Sequence, residues 1–137
     1  MPGEGVIEFF APMRRPPTVT GSNGKRYDRR SGAVYDDPEL RAARGTIEAA
    51  LAPHRPPQPL SGALGIEVRW CYPLKGKHYQ GEPYTAKPDI DNSCKALFDA
   101  LARLGFIVDD RLLAVERVSQ AWWEPSGVYV RIWRLAP

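Results

Sequence analysis

The chain has little of what builds cross-linked or zinc-bound folds. Its 137 residues include two cysteines, Cys71 and Cys94, and two histidines, His54 and His78. Two thiols are too few for a disulfide framework, and their spacing is not that of a metal site. Both read as core or boundary thiols in a reducing compartment. Long apolar runs are missing, so nothing approaches a membrane span. The opening residues, MPGEGVIEFF, lack the basic flank and cleavage pattern of a signal peptide. No segment repeats, and no shift in composition marks a second domain. A strong excess of one charge is absent too. A net charge of +3 and a pI near 9.0 permit a polyanionic partner without demanding one. These absences predict a cytoplasmic single domain over residues 1–137, with no membrane partner and no organic cofactor.

What is present is an alternation of strand-like and helix-like segments. Residues 6–10 alternate as a first strand, with Ile7 and Phe9 on one face. Residues 12–32 form a long Pro-, Gly- and Ser-rich loop carrying Arg14, Arg15, Lys25, Arg26, Arg29 and Arg30 against the single acid Asp28. A structureless loop of that length is often functional, and its charge suits a phosphate backbone. Asp36-Asp37-Pro38-Glu39 reads as a helix start, an acidic cap with proline at the first position. Leu40, Ala43, Ile47, Ala50 and Leu51 continue an apolar stripe to about Ala52, with Arg41, Arg44 and Glu48 on the wet face. A proline-rich connector follows, with His54 expected at the surface. Residues 64–72 alternate as a half-buried strand, Ile66, Val68, Trp70 and Tyr72 on one side and Glu67 and Arg69 on the other. The next loop mixes Lys75, Lys77, His78, Tyr79, Tyr84 and Lys87, a combination suited to phosphate contacts and base stacking. Toward the end, 112–123 and 128–135 read as strands joined by a turn at Pro125-Ser126-Gly127, with a bulge or helical turn expected just after Asp110. Trp122, Trp123 and Trp133 are expected to pack on the sheet or at a subunit interface. The order β, α, β, α, β, β predicts a small α/β domain with a mixed sheet and two main helices.

Between the last two predicted α/β steps lies the stretch KPDIDNSCKALFDALARLGFIVDD, residues 87–110. Pro88 favours an extended approach, in which Asp89 and Asp91 point the same way. Asp91 or Asn92 is a good N-cap, and Leu97, Ala100, Leu101 and Leu104 form one helical stripe. Lys95 then lies one turn beyond Asp91 on the same face. Gly105 sits where a left-handed residue ends the helix. A short apolar run then returns to Asp109 and Asp110. Asp109 is expected to cap the turn presenting Asp110, and Asp99 to pair with Lys95 or Arg103 along the helix.

Clustered carboxylates repel. Two like charges 4 Å apart cost roughly 1 kcal/mol in water and about 4 kcal/mol at an effective dielectric of 20. Protonation, basic neighbours or a cation relieve that cost. An all-oxygen set without nearby His or Cys suits Mg2+ or Mn2+ rather than zinc. Such an ion can lower the pKa of a bound water and neutralise charge on a phosphoryl transition state. Lys95 would add a fixed cation for the scissile phosphate or the leaving oxygen. The parts point to metal-dependent phosphodiester hydrolysis, with Arg14, Arg15, Lys75, Lys77 and Lys87 as the candidate nucleic-acid contacts.

The segment resembles the RusA-type Holliday-junction resolvases, small homodimeric Mg2+-dependent endodeoxyribonucleases. Their D-x-D-N-x-x-K opening, F-D-A-L helix, G-F and acidic pair appear here as Asp89-Ile90-Asp91-Asn92, Lys95, Phe98-Asp99-Ala100-Leu101, Gly105-Phe106 and Asp109-Asp110, without gaps. The resemblance implies a RusA-like fold, a metal held by Asp89, Asp91 and Asp110, and catalytic assistance from Lys95. It also implies a homodimer whose two active sites nick opposite strands of a four-way junction in DNA recombination and repair. Three other functions fit the same residues: a nuclease for forks or flaps, a non-enzymatic DNA-binding module, and a hydrolase of small phosphates.

Overall fold

The computed structural model describes residues 5–18, 25–27, 30–31, 34–36, 38–86 and 94–136, with the backbone alone for 25–27 and 34–36. Four strands make the main sheet: β1 (Val6–Pro12), β4 (Leu64–Tyr72), β5 (Leu113–Trp122) and β6 (Gly127–Arg134). Their order is β1-β6-β4-β5. β4 runs parallel to β5 and antiparallel to β6, and β6 is antiparallel to β1. The sheet is therefore mixed, and the chain is a small α/β domain as expected. A parallel pair needs a crossover rather than a hairpin. The crossover from β4 to β5 carries the second helix and the acidic pair.

Alternation decides which face is covered. Ile66, Val68 and Trp70 of β4 and Val128, Val130 and Ile132 of β6 share the buried face. Helices α1 (Pro38–Leu51) and α2 (Lys95–Arg103) are the elements that cover it, through Ile47, Leu51, Leu97 and Leu101 of one core. Burying a single aliphatic side chain of this size contributes about 1.5–3 kcal/mol. The opposite face is laid with Arg69, Tyr129, Arg131 and Trp133, all half-buried. The Arg69 guanidinium lies over Trp123 and Tyr129, 5.1 and 5.5 Å from the ring centres. Gly65 makes room there, since a β-carbon at that position would stand 2.5 Å from the Trp133 indole.

Three expectations change. Residues 12–32 are not all structureless: β2 (Lys25–Tyr27) pairs antiparallel with β3 (Val34–Asp36). Tyr27 in β2 and Val34 and Tyr35 in β3 are residue types that favour strands. Asp36 consequently ends a strand, and α1 starts at Pro38; Asp37 lies outside the described residues. His54, in the 3-10 turn Ala52–His54, is half-buried and stacks on Phe9 with ring centres 4.8 Å apart. Glu48 is more than a wet-face residue, because it pairs with Arg103 and ties α1 to α2.

Candidate active site

The helix end and the turn after it position the acidic pair. Gly105 adopts φ +87°. Phe106 N–H donates to Leu101 O at 2.9 Å, and Gly105 N–H to Ala102 O at 3.3 Å. That double closure is the Schellman pattern, which turns the chain out of the helix where the sequence places glycine. Residues 106–108 then pair with Leu60: Leu60 N–H donates to Phe106 O at 2.9 Å and Val108 N–H to Leu60 O at 3.0 Å. Phe106 and Ile107 are buried, which anchors this return. A single 3-10 turn, Asp110–Leu112, leads into β5, as expected for the break after Asp110. Asp109 caps it, accepting from Arg111 N–H at 2.9 Å and from Arg111 Nε at 3.3 Å. The backbone bond from Arg111 is the main reason that the Asp109 carboxyl stays below the usual carboxylate range.

Asp110 is pushed the other way. Desolvation raises its pKa first, and the neighbouring carboxyls of Asp109 and Asp99 raise it further. Asp99 thus lies near enough to Asp110 to disfavour its charged form, a crowding that a proton or a cation relieves. Of the partners expected for Asp99 along its own helix, Arg103 is engaged elsewhere. Arg103 finds Glu48 across the α1–α2 contact, while the 3-10 turn packs against α2 and sets Asp110 beside Asp99. Asp99 is the neighbour of Asp110 that sequence reasoning did not place there. Its signal was its place one turn after Lys95, on the same helix face.

Lys95 is exposed at the first position of α2. Behind it, Cys94 Sγ accepts from Trp70 Nε1 at 3.4 Å, which fastens the helix entry to β4. No side-chain cap bonds the start of α2 among the described residues. Asp89, Asp91, Asn92 and Lys87 lie outside the described residues, so the expected metal set and helix cap are not placed. Among the described residues, no three His, Cys, Asp or Glu side chains could hold a metal on their own. Asp110 and Asp99 are the described oxygens that could contribute to one. Their chemistry, hard oxygen donors crowded together, fits a hard divalent cation.

Of the candidate DNA contacts, Arg14, Arg15, Lys75 and Lys77 are all exposed. The segment after β1 is pinned by Met13 N–H to Ser126 O (3.1 Å) and by Ser126 Oγ to Met13 O (2.7 Å). It brings Arg15 to the end of β4, close enough to favour the ionised form of Tyr72. Arg15 and Lys75 stand on one cleft of about 170 Å³ lined by Tyr72, Pro73, Tyr84, Ala86 and Trp122. Arg14 and Lys77 do not line it. Sequence reasoning placed Tyr72 on a strand and Trp122 on the sheet or at a subunit interface. Their position at the two strand ends beside the basic loop was the available signal.

The loop after β4 is built, not loose. Gly81 N–H donates to Trp122 O at 2.7 Å, Trp122 N–H to Glu82 O at 2.9 Å and Tyr84 N–H to Gln120 O at 3.0 Å. His78 stacks on Trp122 with ring centres 3.7 Å apart and meets Glu82 through Nδ1 at 2.8 Å. That contact is the first cause holding the Glu82 carboxyl below its ordinary range.

Comparison with known proteins adds two findings. A family model for endodeoxyribonuclease RusA matches residues 16–133. A comparison with curated proteins finds no match. No helix among the described residues is long and apolar enough to cross a membrane.

Proposed function

The chain belongs to the RusA endodeoxyribonuclease family, and we propose that it is a Mg2+-dependent, structure-selective nuclease that resolves four-way DNA junctions by paired nicks. The observation that carries this reading is the packing of the turn that bears Asp110 against α2, the helix headed by Lys95, which brings Asp110 near Asp99.

In this proposal Asp110, Asp89 and Asp91 hold the ion, with Mn2+ as a substitute. The ion, when bound, supplies Lewis-acid activation of water and neutralises charge on the phosphate. The chain's own groups do the rest. Asp99 holds Asp110 in place and shares its charge. Lys95 presents its ammonium to the scissile phosphate, where negative charge grows in the transition state. The positive end of α2 attracts the same phosphate. Arg14, Arg15, Lys75, Lys77 and Lys87 follow the backbone and fix the register of the DNA. A homodimer provides two such sites, one for each strand cut. Cleavage expels the 3′ oxygen and leaves 5′-phosphate nicks that a ligase can seal.

The test compares single-turnover nicking of a four-way junction, a fork, a flap and a linear duplex in Mg2+. Symmetric nicks in the junction at rates well above the other substrates support the reading. Faster cutting of forks or flaps would replace it with the other branched-DNA nuclease, and binding without any nick would make the chain a DNA-binding module.

A further inference from the structure

The cleft between the two basic loops has walls that phosphate contacts do not require. Tyr72 and Tyr84 stack with ring centres 3.6 Å apart, and Trp122 is tilted against Tyr84 at 4.9 Å. All three are buried, with 1%, 7% and 8% of their surface exposed. Buried aromatic walls under two exposed cations, Arg15 and Lys75, make an amphipathic site: apolar and planar inside, positive at the mouth. A free phosphate needs no aromatic wall, and a base pair is too large for about 170 Å³. A single nucleotide has both parts, a planar base and a phosphate.

The walls are rigid, which matters for affinity because a preformed site costs less to occupy. Trp122 is clamped through both backbone groups to residues 81 and 82, and its ring is stacked on by His78. Burial first, and then Tyr84 and Cys94, keep the Tyr72 phenol neutral, so it puts no negative charge beneath the mouth. Gln120 Nε2 donates to the Tyr72 hydroxyl at 3.3 Å and fixes that edge. Tyr72 and Trp122 are register partners at the ends of β4 and β5. Cys94, the residue before Lys95, lies close enough to Tyr72 to disfavour its ionisation. The cleft therefore lies beside the start of the helix that carries Lys95.

We infer that this cleft takes one unstacked nucleotide of the DNA substrate, its base against the Tyr84–Trp122 wall and its phosphate between Arg15 and Lys75. The inference rests on the proposed nuclease reading and gives that site a means of selecting branched DNA. A branch point supplies unstacked nucleotides, whereas a duplex must break stacking to provide one.

Ala86 is exposed on the lining, so a large residue there fills the cleft without disturbing the core. The test is a binding cycle with the full chain in Ca2+. Wild type and Ala86→Trp are each titrated with an intact four-way junction, and with junctions made abasic at one nucleotide at a time around the branch. The expected result is about a tenfold loss for Ala86→Trp on intact DNA. The loss should shrink to less than twofold at one abasic position, the coupling expected of groups in contact. Equal losses on intact and abasic DNA at every position, or no loss at all, would overturn the inference. Nicking in Mg2+ is measured separately on the same junctions. Coupling without nicking would leave the nucleotide site standing and remove the nuclease reading; nicking without coupling would do the reverse.

Discussion

Asp110 and Asp109 are adjacent in sequence and yet are driven in opposite directions by their surroundings. Asp109 accepts two bonds from Arg111, while Asp110 faces desolvation and two other carboxyls. A raised folded-state pKa means that the fold favours protonated Asp110. Its contribution is fully present below about pH 4, the unfolded value, and is lost as pH rises through the folded value. At pH 7 in EDTA, ionised Asp110 is therefore a net cost. Asp110→Asn is expected to unfold at a higher temperature than wild type there, by no more than about 1 kcal/mol because water screens the pair. The gap should close at pH 4, and Mg2+ should raise the melting temperature of wild type more than that of the variant. Differential scanning fluorimetry at two pH values, with and without Mg2+, reads all three. Lys95 gives a kinetic prediction. Lys95→Ala is expected to bind junction DNA within about threefold of wild type while single-turnover cleavage falls by about a hundredfold. Loss of binding with unchanged cleavage at saturation would contradict its role.

The elements show how far local chemistry reaches. The face-to-face alternation of β4 and β6, the proline at the start of α1 and the glycine end of α2 were all legible, because each depends on period or on a single residue's backbone preference. Gly105 carries the most specific of these. At φ +87° a side chain is strained, so Gly105→Ala is expected to cost about 1 kcal/mol in chemical denaturation without changing the slope. The β2–β3 pair, the stacking of His54 on Phe9 and the turning of Asp99 toward Asp110 were not legible. Each is decided by what a distant segment places beside it, and neither period nor spacing encodes that. The same holds for the cleft, where Arg15 and Trp122 meet only because β1 and β5 end at one side of the sheet.

At the scale of the whole molecule, the family was legible in the dense run from Asp89 to Asp110, and the match over residues 16–133 agrees with it. The positions of Asp89 and Asp91 fall outside the described residues, so their part in the site rests on the proposal. Junction binding through several phosphates should weaken steeply with salt, by about a thousandfold or more between 50 and 200 mM if six or more phosphates are neutralised. Indifference to salt in a fluorescence-anisotropy titration would favour a small-phosphate substrate instead. Sedimentation of the protein–junction complex should give two copies per junction.

The most direct measurement is single-turnover nicking of a synthetic four-way junction by wild type in Mg2+, by wild type in EDTA, and by Asp110→Asn in Mg2+. Paired nicks are expected in the first reaction, with none in EDTA and a rate at least a hundredfold lower for the variant. Full cleavage by Asp110→Asn, or cleavage that persists in EDTA, would contradict the account.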